Sequence, residues 1–442
     1  MTAEVAVLNK SAVTLAADSA VTISTGTDQQ KVFDSEDKLF ELTRQSPIAV
    51  MVNSDLSFIE APLSVLIKQY RDTAPAFGTV RQAADHFLTY LDTFARTSPA
   101  RIERTSLGRF ARDFFQALSA RASEHWQRQV FQPNTQNFRQ EILDLGDAIA
   151  ERFTEIWVES YGVQLDVLER VVTRLPNASF VDGALPPISE EQQAEFGTIV
   201  AEAMTMASGA QKERAVELLL QALPKRTSTG STTGLVVAGF GSDEIFPTLI
   251  YYDIQGSVGG RLKFAERDFI DIDRDGVKAR VLAFAQREMV ERFLYGLDTD
   301  IERQITEFAK RSVPEISQQI INSLEIEQDD RDRLTAEAGA AEQAFFYGLA
   351  EQGFQAIRQA STAEIEEMVE FMPKPEMARM AEALVNLTSI KRRVSRGFET
   401  VGGPIDVAVI SKSDGLVWVK RKHYFEPELN PRYFERIRNS ER

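Results

Sequence analysis

The chain opens on short apolar runs in tight alternation. Val5–Leu8 and Ala12–Ala17 flank the polar Asn9-Lys10-Ser11, the spacing of a hairpin closed by turn-prone residues. The polar stretch Ser19–Asp37, rich in Ser, Thr, Asp and Gln, predicts a long loop. Lys38-Leu-Phe-Glu-Leu42 alternates, and Ile48–Val52 is apolar and β-branched, so both predict strands, with Asn53-Ser54-Asp55 as a strand end and helix cap. From Leu56 to about Leu223 the period becomes helical. Leu63, Leu66, Ile67 and Tyr70 share one face, as do Phe87, Leu88, Leu91 and Phe94, and this block is expected to be wholly helical.

Strand patterns return at Leu235–Gly241, Pro247–Ile254 and Gly260–Phe264. A second helical block is expected from Val277 to Ser395, broken at Pro314, Pro373 and Pro375. Ile405–Ile410, a turn at Ser411–Gly415 and Leu416–Val419 predict a closing hairpin. The order is four strands, helices, three strands, helices, two strands. Hairpin spacing favours antiparallel sheets covered by helices. Phe293-Leu-Tyr-Gly-Leu and Phe346-Tyr-Gly-Leu echo each other, but their surroundings differ, so no tandem repeat is assigned.

Composition narrows this picture. The 442 residues are 43% hydrophobic and 26% charged, the balance of a globular protein with a large core. A net charge of −16 argues against sequence-independent nucleic-acid binding, which needs clustered Lys and Arg. With no cysteine there is no disulfide, thiolate metal site or cysteine nucleophile, which fits a cytoplasmic protein. No secretory signal and no apolar run of about eighteen residues is found, so neither export nor membrane insertion is expected.

The candidate chemistry lies at the start. Removal of Met1 would leave Thr2 with a free α-amine beside its own hydroxyl, and that amine, with an ordinary pKa of about 7.7 to 8.0, can serve as base. The three histidines, His86, His125 and His423, all lie outside the expected strands, which disfavours a Ser-His-Asp triad. Asp271-Ile-Asp273-Arg-Asp275-Gly276 imitates the start of a calcium loop, but Leu282 stands where a bidentate Glu is required, so it is read as an acidic turn. Met368, Met372, Met377 and Met380 are read as packing residues. No phosphate-binding glycine loop is present.

Three separated stretches resemble one family. The hairpin followed by Ala16-Ala17-Asp18, then Lys38-Leu-Phe-Glu-Leu42 and the strand running into Ser54-Asp55, resembles the N-terminal half of proteasome β subunits and HslV-type threonine peptidases. Leu235-Val-Val-Ala-Gly-Phe-Gly with Pro247-Thr-Leu-Ile-Tyr-Tyr-Asp-Ile-Gln-Gly resembles that family's paired central strands. Gly402-Gly-Pro-Ile-Asp-Val-Ala-Val-Ile-Ser-Lys-Ser-Asp-Gly-Leu-Val resembles its closing hairpin.

The resemblance implies an α+β fold, the αββα four-layer sandwich of N-terminal-nucleophile hydrolases, with two large helical insertions. It implies a core of residues 1–55, 234–296 and 398–420, helices with a long insertion over 56–233, a second helical block over 297–397, and a tail over 421–442. Thr2 falls at the catalytic threonine, Asp18 at the acidic residue and Lys38 at the catalytic lysine. Asn53 stands where the family has an oxyanion-binding glycine, and Glu399 is the nearest match to a second acidic residue. By its charge, Lys38 would disfavour protonation of the amine and stabilise a developing alkoxide, and Asp18 would hold Lys38. The function implied is threonine-dependent amide or peptide hydrolysis without a cofactor. The resemblance further implies a peptide or protein substrate, a homo-oligomeric ring, and a separate ATP-dependent unfoldase as a possible partner; the charge and the lack of a long apolar run add the expectation of no nucleic acid and no membrane. The alternative is a catalytically inactive proteasome-like scaffold or interaction protein. The face formed by Phe110, Phe114, Phe115 and Leu118, with Trp126 and Phe131, must pack on the core or on a neighbouring subunit.

Overall fold

The computed structural model describes residues 2–24, 30–131, 149–183, 185, 187–227, 232–274, 276–394 and 402–440. The chain opens with β1 (Ala3–Asn9) and β2 (Ala12–Ala17), a hairpin whose turn is held by Asn9: its side-chain oxygen accepts the N–H groups of Ser11 at 2.9 Å and Ala12 at 3.3 Å. β3 (Val21–Ser24) and β4 (Gln30–Phe33) pair, then come β5 (Leu39–Glu41), β6 (Ile48–Ser54), β7 (Ser57–Phe58) and β8 (Ala61–Pro62). The first helical block holds α1 (Leu63–Thr73), α2 (Val80–Thr97), α3 (Ala100–Phe131), α4 (Ile149–Arg174), the short strand β9 (Ser179–Phe180), α5 (Glu190–Ala203) and α6 (Gly209–Ala222). Thr79, Ser189 and Ser208 start α2, α5 and α6 with reciprocal capping boxes to Gln82, Gln192 and Gln211.

Four strands follow: β10 (Thr233–Gly239), β11 (Thr248–Val258), β12 (Arg261–Asp271) and β13 (Ala279–Ala285). The second helical block is α7 (Glu288–Tyr295), α8 (Thr299–Ser323), α9 (Gln328–Gly348), a π-helical turn (Leu349–Phe354), α10 (Gln355–Glu370) and α11 (Lys374–Val394). The chain closes on β14 (Asp406–Ser411), β15 (Gly415–Lys420) and α12 (Pro431–Ser440).

The protein is a mixed α/β molecule built on antiparallel sheets. One sheet runs β13-β1-β2-β14-β15 and the other β5-β6-β10-β11-β12-β9. Strand side chains alternate between faces, so each sheet contributes to more than one core. Ala6, Leu8 and Leu15 of the first sheet pack with Met51, Val236 and Leu249 of the second in one buried cluster. The opposite face of the first sheet, with Val5, Val7 and Ala16, packs on Val290, Met377 and Leu384 of α7 and α11. The opposite face of the second, with Val50, Val237 and Ile250, packs on Leu66, Tyr70 and Phe87 of α1 and α2. A further core lies within the first helical block, where Phe114, Phe115 and Leu118 of α3 join Tyr161, Leu165, Phe196 and Leu219, with Val258 at the far end of β11. This is where the aromatic face of α3 goes: into the insertion's own core.

Several expectations are corrected. The stretch Ser19–Asp37 is not only loop, because β3 and β4 form a small separate sheet within it. The block from Leu56 to Leu223 carries β7, β8 and β9 as well as helices, β9 completing an edge of the second sheet through Lys263↔Phe180. The second helical block does not begin at Val277. Residues Ala279–Ala285 form β13, paired with β1 from Ala3↔Ala285 to Asn9↔Ala279. Both faces of β13 carry apolar side chains, so its sequence lacks the polar alternation that would separate strand from helix. Pro314 does not break the second block but lies inside α8. The strand beginning near Gly260 runs on to Asp271, well past the expected Phe264.

Candidate functional site

The hairpin register sets the geometry. β1 places Ala6 and Leu8 in the core between the sheets, so Glu4 and Thr2, at the same parity, belong to that face near the end of the strand. Thr2 is only 3% exposed and its carbonyl accepts the N–H of Gln286 at 3.0 Å. Directly beyond β2, Asp18 gives its N–H to the carbonyl of Ala3 at 3.1 Å.

Asp18 is the hub of the corner. One carboxylate oxygen accepts the N–H of Ala3 at 3.1 Å and the ammonium of Lys38 at 2.7 Å. The other accepts the N–H of Gly402 at 3.1 Å. Lys38, just before β5, also donates to the carbonyl of Ala20 at 2.6 Å, and both side chains of the ion pair are 1% exposed. The first and last stretches of the chain are joined here, since the N–H of Ser19 also reaches the carbonyl of Gly402 at 3.2 Å. A buried ion pair of this kind is costly unless its remaining valences are satisfied. Here they are met by backbone groups on both partners.

Asn53 stands across the gap. Val50 and Val52 of β6 face the helices α1 and α2, which turns Met51 and Asn53 toward the first sheet. The Asn53 amide donates to the Glu4 carboxyl at 3.0 Å, with both residues 1% exposed. Space for this side chain exists because its ladder partner is Gly234, where a Cβ would lie 2.2 Å from the Asn53 oxygen. The backbone N–H of Asn53 is not turned to the gap. Val52 donates to Lys38 on the β5 side, whereas Asp55 donates to Thr232, so the alternation of an antiparallel ladder directs Asn53 toward β10. The Asn53 N–H thus belongs to the ladder with β10, and the group that Asn53 turns toward Glu4 is its carboxamide.

Glu4 is the site residue that the sequence reading missed. Burial pushes its carboxyl well above the usual carboxylate range; Lys38 and the Asn53 hydrogen bond oppose the shift, and Asp18 adds to it. Its second oxygen has no hydrogen-bond partner among the described residues. The available signal was a lone acidic residue at a core-facing parity, on the face shared by Ala6 and Leu8. Next to the corner, a polar cavity of about 290 Å3 is lined by Ser54, Gly234, Tyr251 and Asp253, with Arg226 and Thr227 at its far side. Burial pushes the Tyr251 hydroxyl up to about 12, and burial also raises Asp253, which pairs with Arg267 at 2.8 Å.

The remaining candidates are placed as follows. Glu399 lies outside the described residues, as does Met1. His86 bonds the Tyr70 hydroxyl at 2.9 Å and His125 the Ser160 hydroxyl at 3.1 Å, both within the helical layers. In the acidic turn, Asp271 pairs with Arg274 at 3.0 Å and Asp273 with Lys10 at 2.8 Å, while Asp275 lies outside the described residues. No group of acidic or histidine side chains with the arrangement of a metal site occurs among the described residues, and no described helix is long and apolar enough to cross a membrane.

No family model matches the chain, and no curated protein matches it. Among solved structures, a mutant of Anbu from Hyphomicrobium sp. strain MC1 is similar at 10% identity, covering 100% of this chain and 96% of its own, with a TM-score of 0.25. At that score the likeness carries no inference about fold or chemistry.

Proposed function

We propose that the protein is a threonine-dependent amide or peptide hydrolase of the proteasome-like type, built as an αββα sandwich with two helical insertions, in which Met1 removal exposes Thr2 as nucleophile. The observation that carries this reading is the buried Lys38–Asp18 pair, with Asp18 bound to the N–H of Ala3, the residue following Thr2. A positive charge held in place beside the start of β1 is what an N-terminal nucleophile requires, because it disfavours the protonated amine and stabilises an alkoxide. The sequence resemblance at Thr2, Asp18 and Lys38 supports the same roles.

In this reading the Thr2 hydroxyl oxygen attacks the substrate carbonyl carbon while its proton passes to the α-amine. The tetrahedral intermediate collapses with cleavage of the C–N bond, and the leaving amine takes that proton. Water then attacks the Thr2 ester, giving the free acid and restoring the hydroxyl. The Asn53 carboxamide is the polar group beside this corner best suited to donate to developing negative charge. Thr2→Ala should abolish turnover of amide substrates with the fold intact by circular dichroism; retained turnover discards the mechanism.

A second reading has its own observation. Thr2 is 3% exposed, and Glu4 and Asn53 fill the corner beside it. A proteasome-like scaffold that binds partners without catalysis would have such a filled corner, and would keep Met1.

A further inference from the structure

Lys263 has no part in the chemistry above, yet it is as deeply buried as Lys38. It is 1% exposed on β12, and its ammonium donates to the Thr227 hydroxyl at 3.1 Å and lies 5.2 Å from the centre of the Phe110 ring. Among the described residues no carboxylate lies within ion-pair distance of it, in contrast with the Asp18 that compensates Lys38. Burial pushes its ammonium down to about 7. A buried ammonium without a counter-charge either gives up its proton or is stabilised by an anion brought beside it.

Thr227, which accepts the Lys263 hydrogen bond, borders two cavities. One is the polar cavity already described. The other, of about 360 Å3, lies between α3 and α4; Phe114, Leu118, Leu168 and Val172 give it apolar walls, and Arg226 and Thr227, with Arg121 and Gln164, are its polar lining. Arg226 uses its Nε on the carbonyl of Asn177 at 3.3 Å and has no carboxylate within ion-pair distance among the described residues. A largely apolar chamber bordered by the Arg226 and Arg121 guanidinium groups and a hydroxyl, with a buried amine behind that hydroxyl, is matched to a ligand with an alkyl body and one negative end.

We propose that this cavity binds one amphipathic monocarboxylate, with its alkyl chain between α3 and α4 and its carboxylate on Arg226 and the Thr227 hydroxyl, whose oxygen accepts from Lys263. Thr227 then relays the Lys263 charge to the ligand: it accepts from the ammonium and donates its own proton to the carboxylate. A monoanion is favoured over a phosphate dianion because the lining is mainly apolar and the cationic groups are few. The site goes beyond the proposed hydrolase activity and is independent of Thr2.

The test is calorimetric titration of the full chain with decanoate and, separately, with decanol. Decanoate should bind once per chain and decanol at least about tenfold more weakly, a difference of about 1.4 kcal/mol. Lys263→Met, which keeps the length of the side chain without its charge, should weaken decanoate several-fold and leave decanol unchanged, with Arg226 retaining part of the preference for the acid, and Thr227→Val should do the same if the lysine variant does not fold. Thr2→Ala should leave decanoate binding unchanged, which separates this site from the hydrolase reading. Equal binding of acid and alcohol, absence of saturable decanoate binding, or full decanoate affinity in a folded Lys263→Met or Thr227→Val protein would overturn the proposal.

Discussion

At the scale of single residues, Asp18, Glu4 and Lys263 are all buried, but their surroundings lead to different consequences. Asp18 is compensated by Lys38 and by the N–H groups of Ala3 and Gly402. Replacing it by Asn leaves Lys38 buried without its counter-charge, and Asp18→Asn should cost about 3 to 5 kcal/mol in urea unfolding; a loss under about 1 kcal/mol, the scale of an exposed pair, would contradict the description of this corner. Burial raises the Glu4 carboxyl well above its ordinary 4.5, with Lys38 and the Asn53 hydrogen bond opposing the shift. Between its unfolded and folded values the folded state binds the extra proton, so this contribution to stability is complete below about pH 4.5 and is lost as pH rises through the folded pKa. Glu4→Gln should remove that downward trend, read as the stability difference between the two proteins across a pH series.

Lys263 has the opposite sign. Its folded value of about 7 lies below the ordinary 10.5, so the unfolded chain binds more protons between them and stability should rise with pH across that window. Lys263→Met should lack this rise and, at pH 6, should be at least as stable as the parent chain. If both proteins show the same pH profile, the amine is not desolvated as described.

At the scale of elements, the site depends on which face each strand turns to the gap between the sheets. The opening hairpin, the strand into Asn53 and the closing hairpin were legible because period-two apolar runs bounded by turn residues are a strong local signal. β13 was not legible, since a strand buried on both faces reads as a continuous apolar run and competes with helix. Nor was β9, whose two residues pair only at the sheet edge. Of the candidate site, Asp18 and Lys38 come together as a pair, but Glu4 was missed because its significance is tertiary. Only the meeting of β1 with β6 brings it to Asn53. That meeting also explains Gly234, whose missing side chain leaves room for Asn53. Gly234→Ala should cost about 1 to 3 kcal/mol through overpacking, and Asn53→Gly in the same chain should recover most of it. Strictly additive losses in that double mutant would mean that the two positions do not share the space.

At the scale of the whole molecule, the helical additions divide into two kinds. The first block has its own apolar core and, in the proposal above, a ligand chamber between α3 and α4. The second projects α8 and α9, on which Phe308, Ile316, Ile320 and Tyr347 are more than half exposed. Apolar side chains grouped on projecting helices favour association, so a mass above the 49.6 kDa of one chain is expected in solution. A monomer at all accessible concentrations would remove the expectation of a ring. At this scale the central claim is the proposal that the Thr2 hydroxyl oxygen is the nucleophile, which the resemblance in sequence and the buried Lys38–Asp18 pair support. The most direct measurement is the intact mass of the purified protein before and after treatment with an epoxyketone or β-lactone, with the modified residue located by peptide sequencing. The account predicts a chain lacking Met1 and a single adduct on Thr2 that is absent from Thr2→Ala. A chain that retains Met1, or one that leaves Thr2 unmodified under the reagent, would contradict it.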